Sequence, residues 1–138
     1  MKQKVIFICT GNSCRSQMAE GLLRKLAGER FQVFSAGLEP SRVHPKAIQV
    51  MQEIGIDISY HQSEPVSQYL HQEFDFIITV CDHAREHCPY FPGHGQRLHW
   101  SFPDPAAASG TEDEVLAVFR AVRNQIKLAL KPFRSAKL

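Results

Sequence analysis

The sequence predicts an α/β domain built on a parallel sheet, and three features point there. Two continuous apolar runs, Val5-Ile6-Phe7-Ile8 and Phe76-Ile77-Ile78-Thr79-Val80, have the composition of strands covered on both faces. Segments of helical period alternate with the strands. The first run passes through a short loop directly into a helical pattern, the order that produces parallel pairing. About four strands fit a chain of 138 residues, enough for one domain (residues 1–138) with a proper core.

Val5 to Ile8 is the first strand. The helix that follows the loop from Ser16 places Met18, Leu22 and Leu26 on one face, and Gly28 suits its end. Phe31 to Ser35 reads as a second strand closed by Ala36-Gly37, and Leu38 to Val43 as a loop. His44-Pro45 opens a second helix, with proline in the first turn. Its apolar face is Ala47, Met51 and Ile54, flanked by Ile48, and Gly55 ends it. Ser59 to Pro65 is polar and irregular, and Val66 to Phe74 is expected to be a short helix. Phe76 to Val80 is the third strand, with Cys81 at its carboxyl end. Arg97 to Trp100 fits a fourth strand, followed by a loop from Ser101 to Gly110. Thr111 to Leu130 is the longest helix, with Val115, Val118, Phe119, Val122, Ile126 and Leu130 on one face. Thr111 and Glu114 have the spacing of a capping box. Lys131 to Leu138 is expected to be a frayed basic tail.

Apolar residues make up 43% and charged residues 22%, the balance of an ordinary globule rather than a disordered chain. A net charge of +2 is too small for nucleic acid to be the main partner. No run reaches membrane-spanning length, and Met1-Lys2-Gln3-Lys4 leads into the first strand without a small-residue cleavage site. A cytoplasmic monomer with no membrane partner is expected. In a reducing compartment the four cysteines are more readily reactive or metal-binding than structural staples.

The stretch Cys9-Thr10-Gly11-Asn12-Ser13-Cys14-Arg15-Ser16 organises the rest. A loop entering a helix N-terminus offers unpaired N–H groups to a tetrahedral oxyanion. Residues Thr10 to Ser16 are the expected anion cradle, with Gly11 letting the loop curl. Arg15 adds a fork for two oxygens. The same field favours a thiolate at Cys9, a nucleophile aimed at the bound anion. No lysine stands where a nucleotide-binding Gly-x4-Gly-Lys loop requires one. Cys14 could resolve a bond on Cys9, but a small buried hydrophobe is the simpler role.

If the first and third strands are neighbours, Cys9 and Cys81 end adjacent strands about 4.8 Å apart, within reach of a disulfide. Cys81 and Cys88 are separated differently. On one helix their Cα atoms would lie about 10 Å apart, too far to bond unless the segment unwinds. His83 and His87 at i, i+4 raise a zinc reading, but on a helix they face away from the cysteines. No metal site is expected from these residues, and the remaining histidines, His99 among them, have surface or packing roles by default. Asp104, in the loop after the last strand, is either an acid over the anion site or the start of an Asp-Pro turn. Trp100 reads as a core or cover residue.

These blocks resemble the low-molecular-weight tyrosine phosphatase superfamily, and more closely its thioredoxin-coupled arsenate reductases. The resemblance runs through Cys9 to Gly21, Ser35-Ala36-Gly37, His44 to Ala47, Gly55 to Ser59, Cys81-x6-Cys88-Pro89 and His99 to Ala106. It implies a three-layer fold with a four-stranded parallel sheet in the order 2-1-3-4. It also implies that Cys9 attacks arsenate held by the loop and Arg15, and that Asp104 protonates the departing oxygen. Cys81 then bonds Cys9, releasing arsenite. Cys88 bonds Cys81, and thioredoxin reduces that disulfide, with glutaredoxin and glutathione as the alternative reductant. No tightly bound cofactor is implied. Some relatives hold potassium at positions matching Asn12 and Ser35, where two further positions here are Gln62 and Glu64. The alternative is a phosphatase hydrolysing phosphomonoesters through a Cys9 phosphocysteine. Against it stand Gln17 where those phosphatases have proline, Ala106 where they have tyrosine, and the presence of Cys88. A thiol sensor on the same fold is the non-enzymatic alternative.

Overall fold

In the computed structural model, which describes residues 2–134, the first apolar run becomes β1 (Gln3–Cys9) in the interior of the sheet. Val5, Ile6, Phe7 and Ile8 are completely buried, which is why that run shows no alternation. β2 (Phe31–Gly37) and β3 (Phe76–Thr79) flank it, and β4 (Gln96–His99) pairs with β3. All pairings are parallel and the order is β2-β1-β3-β4, as the resemblance implied. Alternate side chains cover both faces. Phe31 packs on Phe76 and Phe133, while Phe34, pointing the other way, packs on Tyr69 and Phe74. Trp100 covers Phe7 and Phe133.

The helices are α1 (Arg15–Ala27), α2 (Pro45–Gln52), α3 (Asp82–His87), α4 (Glu112–Ala129) and α5 (Lys131–Arg134). α1 lies on β1 and β2 and carries α2, α4 and α5 on its other sides. Thr111 and Glu114 form the expected capping box at the start of α4. Among the described residues no helix is long and apolar enough to cross a membrane.

Several expectations are corrected. α1 buries Leu23 completely and leaves Leu26 half-buried. α2 stops at Gln52, so Ile54 lies in the turn beyond it rather than on its face. The segment from Val66 to Phe74 holds a single 3-10 turn, Val66–Tyr69, because polar Gln72 and Glu73 leave it no second apolar face to bury. On α4, Leu116 is buried while Val115 and Val118 are only half-covered. The chain does not fray at Lys131: α5 seats Phe133 against Phe31 and Phe76, with ring centroids at 5.4 and 5.2 Å. Residues 135–138 of the expected tail lie outside the described residues.

Candidate active site

Register places the site. Cys9 pairs with Gly37 and Ile8 with Thr79, so the loop after β1 emerges between the carboxyl ends of β2 and β3. Ligands of open parallel sheets bind at that edge. The loop's carbonyls are turned outward. Those of Cys9, Thr10, Gly11 and Ser13 accept from the backbone N–H groups of Leu38, Glu39, Ser41 and His44. The carbonyl of Asn12 accepts from Gln17 Nε2, and that of Cys14 from the Met18 amide. In a trans peptide the N–H points opposite to the C=O. The amides of Thr10 to Arg15 are therefore directed away from these partners, to the other side of the loop. There Cys9, Thr10, Gly11, Ser13, Cys14, Arg15, Asp104 and Ala106 line a cavity of about 120 Å³.

Gly11 is not the residue that makes the loop curl. Asn12 holds the left-handed conformation at φ 48°, which asparagine tolerates when its side chain is bonded locally. Its Nδ2 donates to Ser16 Oγ (2.7 Å) and Ser35 Oγ (3.0 Å), and its Oδ1 accepts from Gln17 and from the Glu64 amide. Gln17 also donates to the Gln62 carbonyl. These bonds need an amide side chain at position 17, which a proline there could not supply. Sequence reasoning marked Gln17 only as a departure from the phosphatase pattern, and did not assign it this bracing role.

Cys9 is 3% exposed and its Sγ lies 2.9 Å from Ser16 Oγ. Because that oxygen already accepts from Asn12, its proton is free to point at the sulfur. Arg15 is fixed by a bond to the Phe102 carbonyl, and its guanidinium stands 3.8 Å from Asp104. Asp104 starts the expected turn and also stands at the cavity. Its Oδ1 caps the turn by accepting from Ala106 N–H, and its other oxygen faces Arg15 at the cavity.

Cys81 follows β3, and its Sγ lies 3.4 Å from Thr10 Oγ1, at the same loop as Cys9. Cys88 stands at the far end of α3, and burial pushes its thiol up. All four cysteines are free thiols. Burial also pushes Cys14 up to about 12, against its hydrogen bond to Ser13, so its thiolate is disfavoured. His83 and His87 stack on each other at 4.3 Å on α3.

The residues matched to a potassium site are already engaged. Asn12 Oδ1 accepts two N–H groups, and Ser35 Oγ accepts from Asn12 while donating to Glu20. Arg24 places its guanidinium on Glu20 and on the Val33 carbonyl, supplying the positive charge itself. This set does not fit a potassium ion.

A phosphate-type loop on a four-stranded parallel sheet, with a cysteine at its base and an arginine at its end, defines a class. The profile of the family described as low molecular weight phosphotyrosine protein phosphatase matches residues 4–137, and the chain belongs to that family. Within it, the chain stands with the arsenate reductases. It is 51% identical to an arsenate reductase of Halalkalibacterium halodurans and 46% identical to one of Bacillus subtilis, in each case over 96% of both chains. A solved structure described as an arsenate reductase in the oxidized state superposes with a TM-score of 0.82 at 38% identity, again over 96% of both chains. A thioredoxin-dependent arsenate reductase of Corynebacterium glutamicum superposes at 0.68 with 27% identity, over 96% of this chain and 62% of that one.

Proposed function

We propose that this enzyme reduces arsenate to arsenite through a relay of three cysteines, with electrons from thioredoxin, in the cytoplasm. The observation that carries the reading is the position of Cys81: a second thiol at the loop that holds the nucleophile, which a simple phosphatase does not need. Arsenate would bind to the loop amides and Arg15. The Cys9 thiolate displaces one oxygen from arsenic(V), and Asp104 protonates it so that it leaves as water. The Cys81 thiolate then attacks Cys9 Sγ. The sulfur–arsenic bond breaks with its electron pair on arsenic, arsenite leaves, and Cys9–Cys81 forms. Cys88 attacks Cys81, returns Cys9 as thiolate, and leaves Cys81–Cys88. Thioredoxin's dithiol supplies the two electrons that reduce this bond.

Seven positions separate Cys81 from Cys88, and α3 spans the gap, so bonding them requires α3 to unwind. Burial disfavours the Cys88 thiolate while the helix is formed, and opening of the segment would ease its ionisation.

The test is NADPH consumption with thioredoxin and thioredoxin reductase, with and without arsenate. Arsenate-dependent turnover lost in Cys9→Ser, Cys81→Ser and Cys88→Ser is the expected result. Turnover that survives Cys88→Ser would refute the relay, and turnover restored only by glutaredoxin with glutathione would change the reductant.

A further inference from the structure

One chain of hydrogen bonds ties the sheet to the segment between Cys81 and Cys88, and no step described so far uses it. Thr79 ends β3, His99 ends β4, and register sets them side by side. The His99 ring is bonded at both nitrogens: Nδ1 lies 2.8 Å from Thr79 Oγ1, and Nε2 lies 2.9 Å from Asp82 Oδ1. An ionised carboxylate only accepts, so Nε2 carries a proton, and Nδ1 shares the second bond with the Thr79 hydroxyl. The His99 bond, helped by Ser101 and Arg85, holds the Asp82 carboxyl below its usual range.

Asp82 is the first residue of α3 and the neighbour of Cys81, which precedes that helix without capping it through its side chain. α3 has six residues and buries only one of their side chains, Ala84. With so little apolar anchorage, its place depends on its ends. At one end Cys81 touches Thr10, and beside it Asp82 is held by His99.

We propose that His99 is a positioning residue for the redox segment: clamped between Thr79 and Asp82, its ring pins the first turn of α3 and so keeps Cys81 at the nucleophile loop until the bond to Cys9 has formed. This rests on the three-cysteine reading above. The clamp must then yield for the segment to unwind toward Cys88.

The experiment compares wild type with His99→Leu, Asp82→Ala and His99→Gln, the last of which keeps an N–H donor for Asp82. Three quantities are read on the reduced protein: amide exchange across residues 82–88, the rate of arsenite release in a single turnover without external reductant, and the affinity for inorganic phosphate. His99→Leu and Asp82→Ala should speed exchange across the segment by about tenfold. Both should slow single-turnover release by about tenfold while phosphate affinity stays within about twofold, and His99→Gln should recover most of the rate. Unchanged exchange in both variants overturns the clamp. Faster exchange with an unchanged rate overturns the positioning role, and a parallel loss of phosphate affinity shows general damage and overturns it as well. Cys81→Ser separates the two ideas. If it still releases arsenite at the wild-type rate, the relay is wrong and the proposal falls with it. If it does not, a negative His99 result overturns the proposal alone.

Discussion

A Cβ on Gly37 would stand 2.9 Å from the backbone nitrogen of Asn12 and 2.8 Å from the carbonyl oxygen of Thr10. Backbone atoms cannot move aside as a flexible side chain can, so only glycine lets the end of β2 underlie the loop. Gly37→Ala should cost about 1–3 kcal/mol of stability by overpacking. It should also weaken phosphate binding by about tenfold or more, because the amides lose their alignment. Denaturant melts and phosphate titration measure the two effects. A variant with full affinity would show that the loop tolerates the shift.

Cys14 sits within the loop yet should be dispensable as a thiol. Its burial keeps it protonated at neutral pH. Cys14→Ala preserves the backbone amide and should retain turnover within about threefold, at a cost of about 1 kcal/mol in stability. Mass spectrometry after brief alkylation at pH 8 should find Cys9 modified and Cys14 untouched. Rapid labelling of Cys14 would contradict its buried, protonated state.

The sheet and the loop after β1 were legible in the sequence for a plain reason. Both depend on local patterns: apolar runs for strands, and a cysteine, an arginine and small polar residues at fixed spacing for the loop. What escaped depends on residues far apart in the chain. Gly37 reads as the end of a strand until register sets it beside Cys9. Asn12 rather than Gly11 takes the left-handed turn because Ser35, Gln17 and Glu64 satisfy its side chain. His99 had no usable spacing to another histidine, since its partners are a threonine on β3 and an aspartate on α3. Phe133 escaped for a related reason: its charged neighbours suggested a solvated tail, while its contacts, Phe31 and Phe76, lie on two strands.

Stability should fall as pH drops through the histidine range. The fold disfavours the charged form of His61. Its Nδ1 faces Gln17 Oε1 at 2.8 Å and its Nε2 faces the Arg24 guanidinium at 3.1 Å, so a second proton would meet a cation. Burial first, and Arg24 with it, lowers its pKa against the opposing pull of Glu20. Burial likewise lowers that of His44, whose Nδ1 accepts from the Lys46 amide to cap α2. Both groups protonate more readily in the unfolded chain. Stability is therefore fully present above the ordinary histidine value of 6.5 and is lost as pH falls through the folded-state values. Melting temperature followed from pH 8 to 5 should decline below about 6.5, and His61→Gln should flatten the decline. An equal slope in the variant would assign the loss to other groups.

Potassium should be without effect on the wild-type enzyme. Arg24 already bonds Glu20 and the Val33 carbonyl beside Ser35 and Asn12. Melting temperature and turnover should be the same in potassium chloride and choline chloride at equal ionic strength. Arg24→Met should lose roughly 1 kcal/mol and leave Glu20 without its cation. If any form responds to potassium, it should be that variant. Stabilisation of the wild type by potassium over choline would overturn the assignment of Arg24 as the built-in charge.

The turn cap seen at Asp104 and the acid role proposed for it can be separated by chemistry alone. As a turn cap it needs only an oxygen that accepts from Ala106 N–H, which asparagine also provides. As a general acid it needs a proton that asparagine cannot give up. Asp104→Asn should therefore fold with near wild-type stability, while the rate of arsenite release in a single turnover falls by about 10²-fold or more. Asp104→Ala loses the cap as well, and should add a stability loss of about 1 kcal/mol to the same rate defect. Phosphate affinity is the internal control. Removing the carboxylate that faces Arg15 at 3.8 Å frees that guanidinium for the anion, so affinity should hold or improve. A rate defect in Asp104→Ala with none in Asp104→Asn would make the residue a structural cap and move the acid elsewhere.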